Sequence, residues 1–200
     1  TETVPPNGLP ISSYTVLRGL TPLGPWTKTT LGKTAVQFVD TTVLALTKYY
    51  YAVEATDSSQ DVSPMSAVVT VTTPATPAAP VNVAATPASA TKVTVTWSEN
   101  IPAGGLSMKY YYVYRGTSPT ALSKVGTTLA PATTYNDATG ISPNTSYYYT
   151  VAGLDIDLDT SPQSAPPVEV TTPPMPAAPV NVVATPNSST QITVTWIENI

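Results

Sequence analysis

The chain has no cysteine and no histidine. Without cysteine there can be no disulfide framework and no thiolate-held metal. Without histidine the commonest general base and the commonest metal ligand are both missing. Charge is scarce as well: 8 basic residues stand against 12 acidic ones in 200, for a net charge of −4. The basic residues are scattered, so no cationic stripe exists to neutralise phosphates, and nucleic acid is excluded as a partner. No apolar stretch reaches the roughly 20 residues of a membrane span, and Thr1 opens neither a basic nor an apolar signal region. We therefore expect a soluble, mature or excised segment with no catalysis and no cofactor. What the chain does have is 22 prolines and abundant Thr, Val and Tyr, a composition of short strands and turns that predicts an all-β fold.

The sequence repeats itself. Pro77-Ala-Ala-Pro-Val-Asn-Val83 returns at Pro176 to Val182, and Val93-Thr-Val-Thr-Trp97 returns as Ile192-Thr-Val-Thr-Trp196. Tyr111-Tyr-Val-Tyr-Arg-Gly116 echoes Tyr14-Thr-Val-Leu-Arg-Gly19, and Ser146-Tyr-Tyr-Tyr-Thr-Val151 echoes Lys48-Tyr-Tyr-Tyr-Ala-Val53. Four blocks in one order mark tandem units with a period of about 99 residues. Within a unit, alternation puts Val93, Val95 and Trp97 on one face and Thr94 and Thr96 on the other. Tyr111 with Val113, Tyr147 with Tyr149 and Val151, and Val168 with Val170 follow the same rule. Turn chemistry at 102–105, 116–119, 140–144 and 159–162 separates these runs, giving about seven short strands per unit with one apolar face.

Val93-Thr-Val-Thr-Trp97, Tyr111-x-Val113 and Thr145-x-Tyr147-x-Tyr149-x-Val151 resemble the B-strand tryptophan, C-strand pair and F-strand tyrosine corner of fibronectin type III domains, an immunoglobulin-like β-sandwich class. The resemblance covers essentially the whole chain. It implies that Trp97 and Trp196 are core tryptophans and that the Tyr49 and Tyr147 hydroxyls bond backbone near the E–F turn. The arginine-glycine-aspartate loop by which some members bind receptors is absent. The proline-rich stretches 72–80 and 171–179 should be stiff, extended connectors of equal length.

Aligned on the repeat, Thr1-Glu-Thr-Val4 matches Ser98-Glu-Asn-Ile101. We expect residues 1–73 to form a module lacking its A and B strands, 74–173 a complete module, and 174–200 the A and B strands of a following one. Val180, Val182, Ile192, Val194 and Trp196 would then be interface residues. Burying five such side chains is worth roughly 7–15 kcal/mol, comparable to the whole stability of a domain. Either identical subunits join head to tail, the last segment of one completing the first module of the next, or the same strands come from adjacent repeats of one longer chain.

Three further features invite a site. Asp155, Asp157 and Asp159 lead into the F–G loop, with Asp57 and Asp61 as a looser echo. Such oxygen clusters can bind calcium, yet alternation in a strand ending at a polar loop accounts for the same residues. Tyr110, Tyr112, Tyr114 and Tyr148 should form a row on the outer face, able to stack on sugar or to pack against a neighbour; at the C-strand positions the first unit has Ser13, Thr15 and Leu17 instead. Asn144-Thr-Ser146 and Asn187-Ser-Ser189 are acceptor patterns for surface glycans. The sequence thus points to a structural subunit of an extracellular filament or cell-surface appendage. The alternatives are spacer modules of a large secreted enzyme or adhesin, or carbohydrate-binding modules.

Overall fold

The structure, a computed structural model, describes residues 8–199. Those residues are all strand, turn and irregular backbone, and among them no helix is long and apolar enough to cross a membrane. Thirteen strands separate into two compact units, one centred on residues up to 76 and the other on residues from 77 onward.

The second unit contains a β-sandwich. One sheet has the order β5 (Val81–Ser89), β6 (Lys92–Ser98), β9 (Thr134–Asp137). The other runs β11 (Val168–Thr171), β10 (Ser146–Asp155), β7 (Met108–Ser118), β8 (Ala121–Leu129). The alternation seen in the sequence decides which side chains meet between the sheets. Val93, Val95 and Trp97 project from β6 onto Tyr111 and Val113 of β7, Tyr147, Tyr149 and Val151 of β10, and Val170 of β11. The antiparallel register sets Val113 opposite Val151 and Arg115 opposite Tyr149, so that the two central strands present one continuous inner row. Trp97 and Tyr111 meet as a tilted aromatic pair with centroids 5.2 Å apart, an arrangement that adds to the 1.5–3 kcal/mol or so that each large apolar side chain contributes on burial.

The turn expected over 116–119 is tighter than the sequence suggests. β7 continues to Ser118, which pairs with Ala121 across Pro119 and Thr120. A bulge follows Arg115, and Gly116 packs so closely on the Ala121 carbonyl that a β-carbon there would collide with it. Gly126 is required for a similar reason, since the Tyr135 ring lies where its side chain would be.

The first unit holds one four-stranded sheet among the described residues: β2 (Thr27–Gly32), β1 (Ile11–Gly19), β3 (Lys48–Asp57), β4 (Val69–Thr72). Its order and register copy those of β8, β7, β10 and β11, with Val16 opposite Val53 and Arg18 opposite Tyr51. Residues 37–40, which correspond to β9, form no strand. In the second unit β9 exists by pairing with β6, and backbone amides form a strand only when a neighbour satisfies them.

The last two strands, β12 (Val180–Ser188) and β13 (Gln191–Ile197), make a two-stranded hairpin that pairs with no other strand among the described residues. Its register breaks, between Val180 and Val183 and between Pro186 and Ser188, repeat those of β5 with β6. Asn181 and Asn82 share the same left-handed backbone, at φ 55° and 52°.

Candidate functional site

The polar chemistry of the chain gathers on the inner ends of the central strands, and both units carry it. In the second unit the Arg115 guanidinium donates to Asp137 Oδ2 at 2.7 Å and to the Thr139 carbonyl at 2.9 Å. The Tyr149 hydroxyl donates to the same carboxylate oxygen at 2.9 Å. Arg115 also lies over the Tyr147 ring, 5.3 Å from its centroid. Asp137 is almost fully buried, and a buried charge persists only when paired and hydrogen-bonded; here it has a cation and a phenol. Burial and the neighbouring Asp137 push the Tyr149 phenol well above its usual range. Burial acts first on Arg115, lowering its pKa, but the hydrogen bond to Asp137 more than offsets it and the guanidinium stays charged.

The first unit repeats the arrangement. Arg18 donates to both oxygens of Asp40, at 3.0 and 2.8 Å, and to the Thr42 hydroxyl at 2.6 Å. The Tyr51 hydroxyl donates to Asp40 at 2.8 Å, and Arg18 lies 5.5 Å from the Tyr49 centroid. Burial works to raise the Asp40 pKa. Hydrogen bonds from Tyr51, from the Thr42 amide and hydroxyl and from Arg18 outweigh it and hold the carboxyl well below the usual carboxylate range. Burial and the bond to Asp40 push Tyr51 up to about 12.

No single strand of the sequence shows this clamp. Its signal was a further repeat: Asp40-Thr-Thr42 against Asp137-Ala-Thr139, at the same spacing as Arg18 against Arg115.

Next to each clamp sits a tyrosine corner. The Tyr147 hydroxyl accepts the Ser142 amide at 2.9 Å, and the Tyr49 hydroxyl accepts the Leu44 amide at 2.8 Å, both five residues upstream. The G-side threonine braces the corner in each unit. Thr172 Oγ1 accepts from the Thr145 amide and donates to the Ser142 carbonyl, as Thr73 does with Thr47 and Leu44. A three-stranded sheet packed on a four-stranded one, a tryptophan on the middle strand of the first and a tyrosine corner entering the second together decide the class. This is the fibronectin type III fold.

In the second fibronectin type III unit Trp97 Nε1 is the one buried side-chain polar atom without a partner among the described residues, and the buried carboxylates and hydroxyls are held by hydrogen bonds within the chain. The edge of β10 shows how. Ser161 and Ser164 send their amides to the carbonyls of Gly153 and Val151, at 2.8 Å each. Their hydroxyls accept the Gly153 and Val151 amides in return, at 2.8 and 3.0 Å. Ser63 and Ser66 do the same for Ala55 and Val53. A Ser-Pro-x-Ser segment thus completes the ladder with side chains where regular strand pairing fails, and so protects the edge from foreign strands. The stretch 159–162, expected as a turn, instead runs beside β10, with Thr160 bridging to Leu154.

The carboxylate run has a local explanation. Asp155 Oδ1 accepts the amides of Asp157 and Asp159 at 3.0 and 2.9 Å, and Asp57 Oδ1 accepts those of Ser59 and Asp61. These are side-chain-to-backbone turns that tie off the F–G loop. Among the described residues no cluster of three potential metal ligands forms. Tyr110, Tyr112 and Tyr114 lie half-buried on the outer face, opposite the buried Tyr111 and Val113. Lys124 already covers Tyr112, its Nζ 3.8 Å from the ring centroid, a contact worth up to about 1 kcal/mol at an exposed site. Asn144 is exposed in a turn, and Asn187 is exposed near the end of β12. Trp97 is buried as the resemblance implies, but its counterpart Trp196 is 60% exposed, because the hairpin that carries it packs on no sheet. Val180, Val182, Ile192 and Val194 are exposed beside it. The stretch Thr1–Val4 lies outside the described residues.

No protein-family model matches the chain. Exoglucanase B of Cellulomonas fimi is 36% identical over 165 residues, which is 79% of this chain and 14% of that protein. The chain therefore spans about one seventh of that relative's length. Among solved structures, the chicken CNTN1 FN1–FN3 domains cover 83% of this chain and 57% of their own, with 19% identity and a TM-score of 0.45. The sixth fibronectin type III domain of human fibronectin type III domain containing protein 3 covers 51% and 91%, with 25% identity and a TM-score of 0.43.

Proposed function

We propose that the chain is a run of spacer modules in a larger, secreted, carbohydrate-active polypeptide, holding its working domains apart outside the cell. The observation that carries this reading is the length of the similarity to exoglucanase B. At 165 residues it exceeds one 99-residue period, so the likeness extends across a module boundary and is not confined to one sandwich. The physical character of the chain fits the task. Its buried charges are paired, its loops are tied to themselves, and its two proline-rich connectors are of equal length.

Antibodies raised against the 200 residues and used to recover the native polypeptide from culture medium test the reading. A polypeptide well above 20.9 kDa that hydrolyses β-glucan is expected. Recovery of threads built from a subunit of that small mass would contradict it and restore the filament reading. That second reading draws on one observation, the pair of exposed apolar surfaces on the first unit and on the β12–β13 hairpin.

A further inference from the structure

The outer face of the larger sheet in the second unit carries a row of phenols that the fold does not require. On β7, Tyr110, Tyr112 and Tyr114 alternate with the buried Tyr111 and Val113, so their rings stand on the face turned away from the core. The next outward place on that strand is Gly116, and Tyr148 of β10 lies opposite it. Glycine has no side chain, so the Tyr148 ring continues the row. Residues two apart on a strand repeat every about 6.8 Å, and the four phenols therefore line up over roughly 20 Å. Ala152 and Leu154, directly opposite Tyr112 and Tyr110, are 1% and 8% exposed although no other sheet lies over this face, which leaves the flanking side chains to cover them.

The first unit shows what the sheet needs. It keeps the order and register of the second, and it keeps Tyr50 opposite Gly19, yet at the three β7 places its β1 has Ser13, Thr15 and Leu17. There Lys28 bonds Glu54 at 3.4 Å. The counterpart of Glu54 is Ala152, so Lys124 has no carboxylate to meet, and its Nζ rests on Tyr112 instead. That hold is worth up to about 1 kcal/mol, and a hydroxyl oxygen offers the ammonium another acceptor. Three added phenols and one released cation distinguish this face, and the sheet forms without them. A long aromatic row with little charge suits a neutral polymer whose rings are apolar on their faces and hydroxylated on their edges.

We propose that this face of the second unit binds an extended β-glucan chain, with Tyr110, Tyr112, Tyr114 and Tyr148 stacking on its sugars and Lys124 donating to a sugar hydroxyl. The choice of β-glucan rests on the reading of the parent polypeptide as carbohydrate-active. Native gels cast with and without soluble mixed-linkage β-glucan test it on the whole chain. The chain should be retarded by the polysaccharide. Tyr112→Thr should weaken the affinity about two- to tenfold, and the triple variant Tyr110→Ser, Tyr112→Thr, Tyr114→Leu should migrate as if no polysaccharide were present. These are the first unit's own residues at those places, so the sheet tolerates them, and an unchanged circular dichroism spectrum checks it. A titration of the unaltered chain with cellohexaose needs no variant: in NMR spectra the ring resonances of the four outer tyrosines should shift while those of Tyr111 and Tyr149 stay in place. An unretarded chain, or equal retardation of the chain and its triple variant, would overturn the proposal. So would self-association that the triple variant abolishes, which would give the face to a second copy. A native polypeptide that hydrolyses β-glucan, beside a chain that does not bind it, sinks the binding face alone. A chain that binds β-glucan but comes from a polypeptide without action on it sinks the spacer reading alone.

Discussion

The two units are built on the same four-stranded sheet and the same Arg–Asp–Tyr clamp, and they differ in what lies over the sheet. Val151 is fully buried where its counterpart Val53 is 40% exposed, and Val170 is 7% exposed where Val71 is 52%. The clamp nonetheless closes in both, with Arg-to-Asp distances of 2.7 and 2.8 Å. Local polar geometry here is set by the sheet and its corner. Burial is set by the covering strands. The comparison separates the two contributions within one chain.

The strongest way to break the comparison is to remove one tryptophan at a time. Trp97→Ala empties a packed site between two sheets and should destabilise the second unit by about 3–5 kcal/mol. Trp196→Ala at the same repeat position should change it by less than about 0.5 kcal/mol, since nothing rests on that ring. Urea unfolding followed by circular dichroism, with the chain dilute, measures both.

The clamps come next. Arg115→Ala leaves Asp137 buried without its cation, at a cost of about 3 kcal/mol. Arg18→Ala leaves Asp40 nearer to solvent and still bonded by the Thr42 amide and hydroxyl, so about 1 kcal/mol should be lost. Equal losses in the two units would show that cover does not matter to the clamp.

The pH dependence of the first unit follows from the signs. The Asp40 pKa is depressed from 3.8, so its contribution is present above that value and fades as pH falls through the folded-state pKa. Tyr51 is raised from 10.0 to about 12, so its contribution is present below 10 and lost as pH rises through 12. Unfolding titrations should show both limbs, and Asp40→Asn should flatten the acid one.

The smallest effect concerns one backbone position. Leu46 and Asn144 hold the same left-handed place before the F strand, at φ 51° and 48°. Asparagine tolerates that conformation and leucine does not. Leu46→Asn should stabilise the first unit by about 0.5–1 kcal/mol, and Asn144→Leu should cost the second a similar amount, as read by denaturant midpoints.

Much of this was legible in the residues. The alternation of Val93 to Trp97 and of Tyr147 to Val151 put the core in place, and the resemblance of the Tyr-x-Tyr-x-Val motif to fibronectin type III domains implied the corners at Tyr49 and Tyr147. Both depend on neighbours along one strand. The clamp was harder to see because Arg115, Asp137 and Tyr149 come from three strands, and only the fold brings them together. Ser161 falls in the stretch 159–162 that reads as a turn, because the pattern does not say that its hydroxyl accepts from a strand. Whether residues 37–40 form a strand, and whether Trp196 is buried, depends on a partner surface that no local pattern specifies.

Amide hydrogen exchange on the intact chain tests the central claim, that the shared sheet is held by its cover. At high dilution, the amides of β7 and β10 should exchange slowly and those of β1 and β3 at least about a hundredfold faster. Equal protection of the two sheets in the dilute chain would contradict the account.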